Sequence, residues 1–530
     1  MPQLRRIGFF ALAFVFACSA ADPAAKKRTA PATTDDPSDP GDSTDPTVPS
    51  DGTGNNGSSG ANSSGGNVNT ATAKLATNIH IAEVAVMQTV KIPLTKAGTR
   101  GALAAAPDNV TIVTGRPALA RIYVATESKW SAHAITAELT IKNKADKTAK
   151  TLTASLTPRT TSTDASLTST FNFELTGSEL APGATFSARL LDDAADAVPT
   201  SNKSASQYPG DGTMAPLLVA KGQTLKVTLV PVRYDFDRSK RLPDTSATAI
   251  AAYKKRMQQL YPVADVTVTV RAAFPWTHEI GPDGTGWAEV LDAVTQLRGD
   301  DSASDDNYYF GIFDPASSDR TYCSAGCVLG LSGLVNTTRD SYMRASVGVG
   351  YIDPEGTMAH EIGHAHGRRH ADCGGAQGVD GSFPYTKGSI GVWGYDAPTK
   401  TLFDPSVGKD VMGYCQNVWI SDYTYKALFD RVEEVYAPTL VSLQPRRFRT
   451  VLDNGKTLVA HKTAETRRIM LGGEERSVDV LDEAGVSVGS TRAHFYPFDH
   501  LPGGIYLVEE PEGAYRSMNI AGAAHAVTVQ

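Results

Sequence analysis

Three things are scarce in this chain, and each scarcity narrows what it can be. The first is apolar length: the run from Ile7 to Ala17 is too short to span a bilayer, for which about 20 consecutive residues are needed. The second is an excess of either charge. Lys and Arg number 50 against 57 Asp and Glu, a net charge of −7. No basic patch with interleaved aromatics appears, so there is no electrostatic case for a nucleic-acid partner. The third is cysteine. Of five among 530 residues, none falls between residues 19 and 322, and the spacings of the rest do not match a zinc ribbon. No internal repeat is convincing enough to use.

Histidine, by contrast, is concentrated. Four of the eleven lie in His360-Glu361-Ile362-Gly363-His364-Ala365-His366-Gly367-Arg368-Arg369-His370, which fits HExxHxxGxxH. His360 and His364 are four apart, so on a helix they stack one turn above the other and project toward one point. Glu361 sits on the neighbouring azimuth, placed to reach a water at the metal and poorly placed to be a ligand, and it reads as a general base. A third ligand six residues beyond His364 cannot come from the same helical face. The helix must therefore stop, and Gly367 can take a left-handed C-cap without a Cβ penalty before the chain delivers His370. Asp353-Pro354 supplies an N-cap and a proline in the first turn, so the helix is expected over Pro354–His366. Structural zinc usually closes its tetrahedron with four protein ligands, whereas three histidines and a base leave a position open, the mark of a catalytic site. His366 points off the ligand face and reads as an ordinary packed histidine.

Downstream, Asp410-Val411-Met412-Gly413-Tyr414-Cys415 completes a pair of motifs. Together they resemble the metzincin clan of zinc metalloendopeptidases, whose second mark is a methionine turn beneath the three imidazoles. The resemblance covers roughly residues 225–437. It implies one catalytic zinc on His360, His364 and His370, Glu361 as base, and Met412 as an apolar floor. Tyr414 matches a tyrosine that astacins and serralysins use at the zinc or on the tetrahedral intermediate. The residue after the third histidine is Ala371, where the best-known branches carry Glu, Pro, Asp or Ser, so the branch stays unassigned. A matrixin-like cysteine latch is not available from the N-terminal region.

The rest of the chain reads as a multidomain α+β protein. Residues 1–21 form an export signal of bacterial type. Val15-Phe16-Ala17-Cys18 is a candidate lipobox that would make Cys18 the lipidated first residue of an outer-membrane or surface lipoprotein; ordinary cleavage near Ala20 or Ala21 is the alternative. Residues 22–72 have hardly an apolar side chain and cannot offset their ordering entropy, which makes them a linker. Period-two segments such as Ala120–Val124, Ala137–Ile141 and Phe186–Leu190 give a β-sandwich-like domain over 73–222. In 223–438, strands at 225–232, 266–270 and 308–313 alternate with helices at 245–260 and 287–297. This implies a mainly parallel twisted sheet backing the active-site helix, with an edge strand within 326–335 that could pair with an extended substrate. A helix starting at Ser421 closes the domain. Residues 439–530 return to β signals and are expected to form a second small sandwich.

If Cys18 is set aside, Cys323, Cys327, Cys373 and Cys415 form an even set suited to an oxidising compartment. Three pairings are open. Cys373–Cys415 with Cys323–Cys327 is preferred, since the first would clamp the ligand turn to the methionine turn. Asp372, Asp380 and Asp404 read as solvated or capping loop residues, so calcium has no support. The expected partners are protein or glycoprotein substrates. A surface adhesive or glycan-binding protein with an inert zinc domain is the competing class, and a protease specialised for glycoproteins is a narrower variant.

Overall fold

The computed structural model describes residues 74–97, 103–106, 109–146, 148–193, 205–337, 340–437, 444–467 and 471–529. The export signal, Cys18 and the linker lie outside these.

The α+β expectation is corrected. The described residues are 38% strand and 17% helix, which makes this a mostly β molecule of several sheets. The helices expected around the site do form, at Ala247–Leu260, Trp287–Asp300, Pro354–Ala365 and Asp422–Tyr436. The sheet beside them is one of seven among the described residues, and it is mixed. Thr224–Tyr234 pairs in parallel with Asp265–Val270 and Asn307–Phe313, and the latter with Ala345–Val349, while the edge strand Gly330–Ser332 runs antiparallel. Alternating strand and helix patterns fix local units. They do not reveal that most of the remaining chain, read as separate small domains, adds further sheets to a shared core.

In the N-terminal region, Lys74–Leu75, Thr185–Asp192, Ile135–Lys142 and Lys150–Leu156 form one antiparallel sheet. A second orders Thr401–Phe403, Gly394–Asp396, Ile79–Pro93, Ala118–Thr126 and Phe171–Leu175. Its first two strands come from beyond the histidine motif, so this sheet crosses the expected boundary at 222/223. Packing crosses it too. One apolar cluster runs from Ile81, Ile122 and Phe186 through Leu229 to Ile362 and Met412. Across the same seam the Trp419 indole donates to Thr89 O at 2.8 Å, and the Arg116 guanidinium donates to Tyr261 O at 2.6 Å.

The C-terminal region is not a sandwich. It is a single eight-stranded antiparallel sheet with Leu458–Ala460 at one end and Val527–Thr528 at the other, and those two ends lie against each other in a near-barrel. Its apolar side chains Phe448, Tyr496, Phe498 and Leu507 share a cluster with Trp287, Val294 and Val347, so the 438/439 boundary is also packed across. A clasp joins the two regions where His461 Nε2 lies 2.7 Å from Asp292 Oδ2.

Cys323–Cys327 and Cys373–Cys415 are both disulfide-bonded, the preferred pairing, and two disulfides suggest an extracellular protein. Among the described residues no helix is long and apolar enough to cross a membrane.

Candidate metal centre

The Pro354–Ala365 helix begins where its sequence says it should. The Asp353 side chain caps Gly356 N–H at 3.2 Å, and Pro354 occupies the first turn, where a missing N–H costs nothing. Its end is a Schellman turn. Gly367, at φ +80°, donates to His364 O at 2.8 Å, and Arg368 N–H donates to Gly363 O at 2.9 Å. That left-handed turn swings the chain back so that His370 faces the two helical histidines.

The result is a tight convergence. His364 Nε2 lies 3.1 Å from His360 Nε2 and 3.0 Å from His370 Nε2, with all three side chains buried. Each opposite ring nitrogen meets a backbone carbonyl. His360 Nδ1 is 2.7 Å from Val411 O, His364 Nδ1 is 2.6 Å from Arg368 O, and His370 Nδ1 meets Gln377 O. A carbonyl only accepts, so each Nδ1 carries the proton and each Nε2 turns a lone pair inward. Burial lowers the pKa of all three, His360 to about 4, with the neighbouring His370 contributing, so the rings stand neutral at neutral pH. Three inward lone pairs held about one van der Waals contact apart repel unless a cation lies among them, and neutral imidazoles are the form that binds one. The residues fit a transition-metal ion, and zinc suits a set of three imidazoles with an open position.

Glu361 is 4% exposed, and its Oε2 has no hydrogen-bond partner. Burial, with the Asp499 carboxylate adding to it, pushes its carboxyl well above the usual range. It lies against the edge strand, where a Cβ on Gly330 would stand 2.2 Å from Oε1. Tyr414 Oη is 3.0 Å from His370 Nε2, at the rim of the same centre. Met412 packs under the helix, since a Cβ on Gly363 would stand 2.6 Å from its Sδ. The buried Asp410 shapes that turn by accepting Met412 N–H and Ser421 N–H, each at 2.9 Å. The Cys373–Cys415 bridge ties the loop after His370 to the residue after Tyr414.

His366 lies off the site, as expected. It donates to Ile362 O at 2.8 Å and stacks on Tyr308 at 4.3 Å between ring centres, and burial lowers its pKa to about 3. Asp380 caps Ser382 N–H and accepts the Tyr423 hydroxyl, while Asp404 caps Ser406 N–H. Among the described residues two groups could hold a metal ion, His360–His364–His370 and Glu361–His364–Asp499.

Asp499 escaped the sequence reading. Its Oδ2 lies 3.5 Å from His364 Nε2 and 3.9 Å from His370 Nε2, and it pairs with His500. The charge of Asp499 raises the His500 pKa against the effect of burial. A carboxylate so far along the chain from the histidines, in a region of generic β signals, bears no spacing to the motif. The adjacent Asp-His pair was the only available hint.

Residues 338–422, which contain all three histidines, Glu361, Met412 and Tyr414, match the family model described as Peptidase M66. No curated protein matches the chain. Among solved structures, one described as a chaperone-substrate complex shares 13% identity with a TM-score of 0.23, over 40% of this chain and 35% of that one. The chain thus spans about a third of that structure's length. Metalloproteinase-II from Bacteroides fragilis shares 12% identity with a TM-score of 0.23, over 63% of this chain and 87% of that one. Likenesses this distant carry neither fold nor function. The family match supports a peptidase, and the buried histidine group could bind a metal.

Proposed function

We propose that the chain is a zinc-dependent endopeptidase of metzincin type that hydrolyses peptide bonds of extracellular proteins. The observation that carries this reading is the convergence of three carbonyl-anchored imidazoles, beside a buried carboxylate, inside the segment that matches a peptidase family. His360, His364 and His370 would hold a zinc ion, which when bound would supply Lewis acidity toward water and the scissile carbonyl.

The chain's own residues do the rest. Glu361, whose Oε2 has no partner, accepts a proton from the attacking water and passes it to the leaving amine. The Tyr414 hydroxyl, 3.0 Å from His370 Nε2, would donate to the oxyanion that develops on the carbonyl. The edge strand Gly330–Ser332 borders Glu361, and an extended peptide would pair with its backbone groups once they are free. Acylation of Cys18 would tether the enzyme to a membrane surface through the linker, and protein or glycoprotein substrates would meet it there.

The test is cleavage of a casein and mucin panel by the purified full chain, with and without a chelator, alongside Glu361→Gln. Chelator-sensitive cleavage that falls by about 10²- to 10⁴-fold in the variant is expected, the range for loss of a general base. Wild-type turnover in Glu361→Gln would remove the residue from that role. Chelator-insensitive cleavage would remove the metal. An adhesive protein with an inert centre would cleave nothing.

A further inference from the structure

The near-barrel does more than pack beside the site; it reaches into it. The loop between its strands Ser487–Pro497 and Gly504–Glu509 lies along Ser332–Leu334, the end of the Gly330–Ser332 edge strand and the two residues after it. Leu334 N–H donates to Pro497 O at 2.9 Å, Gly333 and Phe498 form an antiparallel bridge, and Asp499 N–H donates to Ser332 O at 3.1 Å. Ser332 N–H donates to Asp499 Oδ1 at 2.9 Å. These are the backbone groups through which an exposed edge strand recruits another extended segment. At Ser332 and Leu334 they are already taken.

The same anchoring fixes a carboxylate. With Oδ1 held by Ser332, Oδ2 turns to the histidines, close to His364 and His370, and the side chain is 1% exposed. Asp499 also groups with Glu361 and His364 as potential ligands. The cavity left beside His364, His370 and Asp499 measures about 220 Å³, below the roughly 300–1,000 Å³ of sites that hold small molecules.

Resting on the peptidase reading, we infer that Asp499 is a fourth protein ligand to the metal held by His360, His364 and His370, and that Pro497–His500 occupies the substrate edge as a built-in plug. The closed form is then restrained, and basal cleavage comes from the fraction of chains whose loop has left the edge. A carboxylate closes the position that the attacking water needs, beside Glu361, and a cis-acting segment takes the place of the substrate backbone. Activation requires the loop to leave the edge, by cleavage within the near-barrel or by its displacement.

Cobalt(II) substituted into the full chain reports the coordination directly, and acetohydroxamate, a small bidentate ligand, reports an open position. In wild-type protein the visible cobalt spectrum should not shift with millimolar acetohydroxamate, an arm that needs no variant. In Asp499→Asn, which keeps the side chain's shape and the acceptor for Ser332 N–H, the spectrum should change on substitution and shift again with acetohydroxamate. With the bond to the metal lost, the loop is held to the edge by fewer contacts, so kcat/KM on unfolded casein should rise at least tenfold. A wild-type spectrum that responds to acetohydroxamate overturns the inference. So does an Asp499→Asn spectrum identical to wild type, or a variant whose activity is unchanged or lower. Those failures leave the peptidase reading standing if wild type cleaves casein and Glu361→Gln does not, whereas a wild-type chain that takes up no cobalt ends both.

Discussion

A methyl group at Gly330 would stand where the Glu361 carboxylate now lies, 2.2 Å from Oε1. No rotation at Gly330 relieves that contact, because the strand is pinned by its pairing with Ala345–Val349. Gly330→Ala is expected to displace the base while leaving the three histidines in place. The cost in kcat is on the order of 10²-fold, the scale of a misplacement near 1 Å, with zinc content unchanged. Steady-state kinetics beside metal analysis checks it, and normal kcat would place Glu361 elsewhere during turnover. At this scale the sequence was generous where spacing encodes geometry. His360 and His364 follow from helical periodicity, and Gly367 announces the turn that brings His370 round. It was silent where a role depends on distant chain. Gly330 looks like any strand glycine until Glu361 is seen against it, and Asp499 has no spacing that leads to the histidines.

Among the elements, the loop between His370 and the methionine turn depends on one covalent tie. Cys373–Cys415 closes a separation of 42 residues that includes Met412 and Tyr414. Loop-closure entropy for such a ring is worth about 4 kcal/mol. The double variant Cys373→Ser with Cys415→Ser is expected to lose stability on that order, read as a lower midpoint in denaturant. It should also release zinc faster, since Val411 O anchors His360 and the Gln377 carbonyl anchors His370 from within or beside that loop. An unchanged midpoint would make the bridge ornamental. The elements around the site were legible because caps and periodicity are local: Ser246, Asp353 and Ser421 each cap the helix that follows. Strand partners were not. Nothing in Ile79–Pro93 reveals that Gly394–Asp396 joins its sheet, because sheet pairing is decided by tertiary packing rather than by either strand's own pattern.

At the scale of the molecule, the expected domains are joined by shared cores, and the seams carry titratable contacts. His461, on the near-barrel, meets Asp292 on the Trp287–Asp300 helix at 2.7 Å, and the hydrogen bond to Asp292 raises the His461 pKa above 6.5. A histidine raised on folding adds stability that is complete below its unfolded pKa and is lost as pH climbs through the folded value. The difference in melting temperature between wild type and Asp292→Asn should therefore be larger at pH 6 than at pH 9. A difference that does not vary with pH would mean the clasp is not an ion pair. The α+β expectation failed at this scale for a related reason. A strand–helix alternation in the middle of the chain says nothing of how many strands the flanks contribute, and here the flanks form most of the sheets.

All of this depends on three inward-facing imidazoles sharing one ion. Elemental analysis of the purified full chain and of His370→Ala, both checked for native disulfides, measures that directly. One zinc per chain in the wild type and a large loss in the variant is the expected result. A well-folded wild type without a transition metal, or a His370→Ala protein with undiminished zinc, would contradict it.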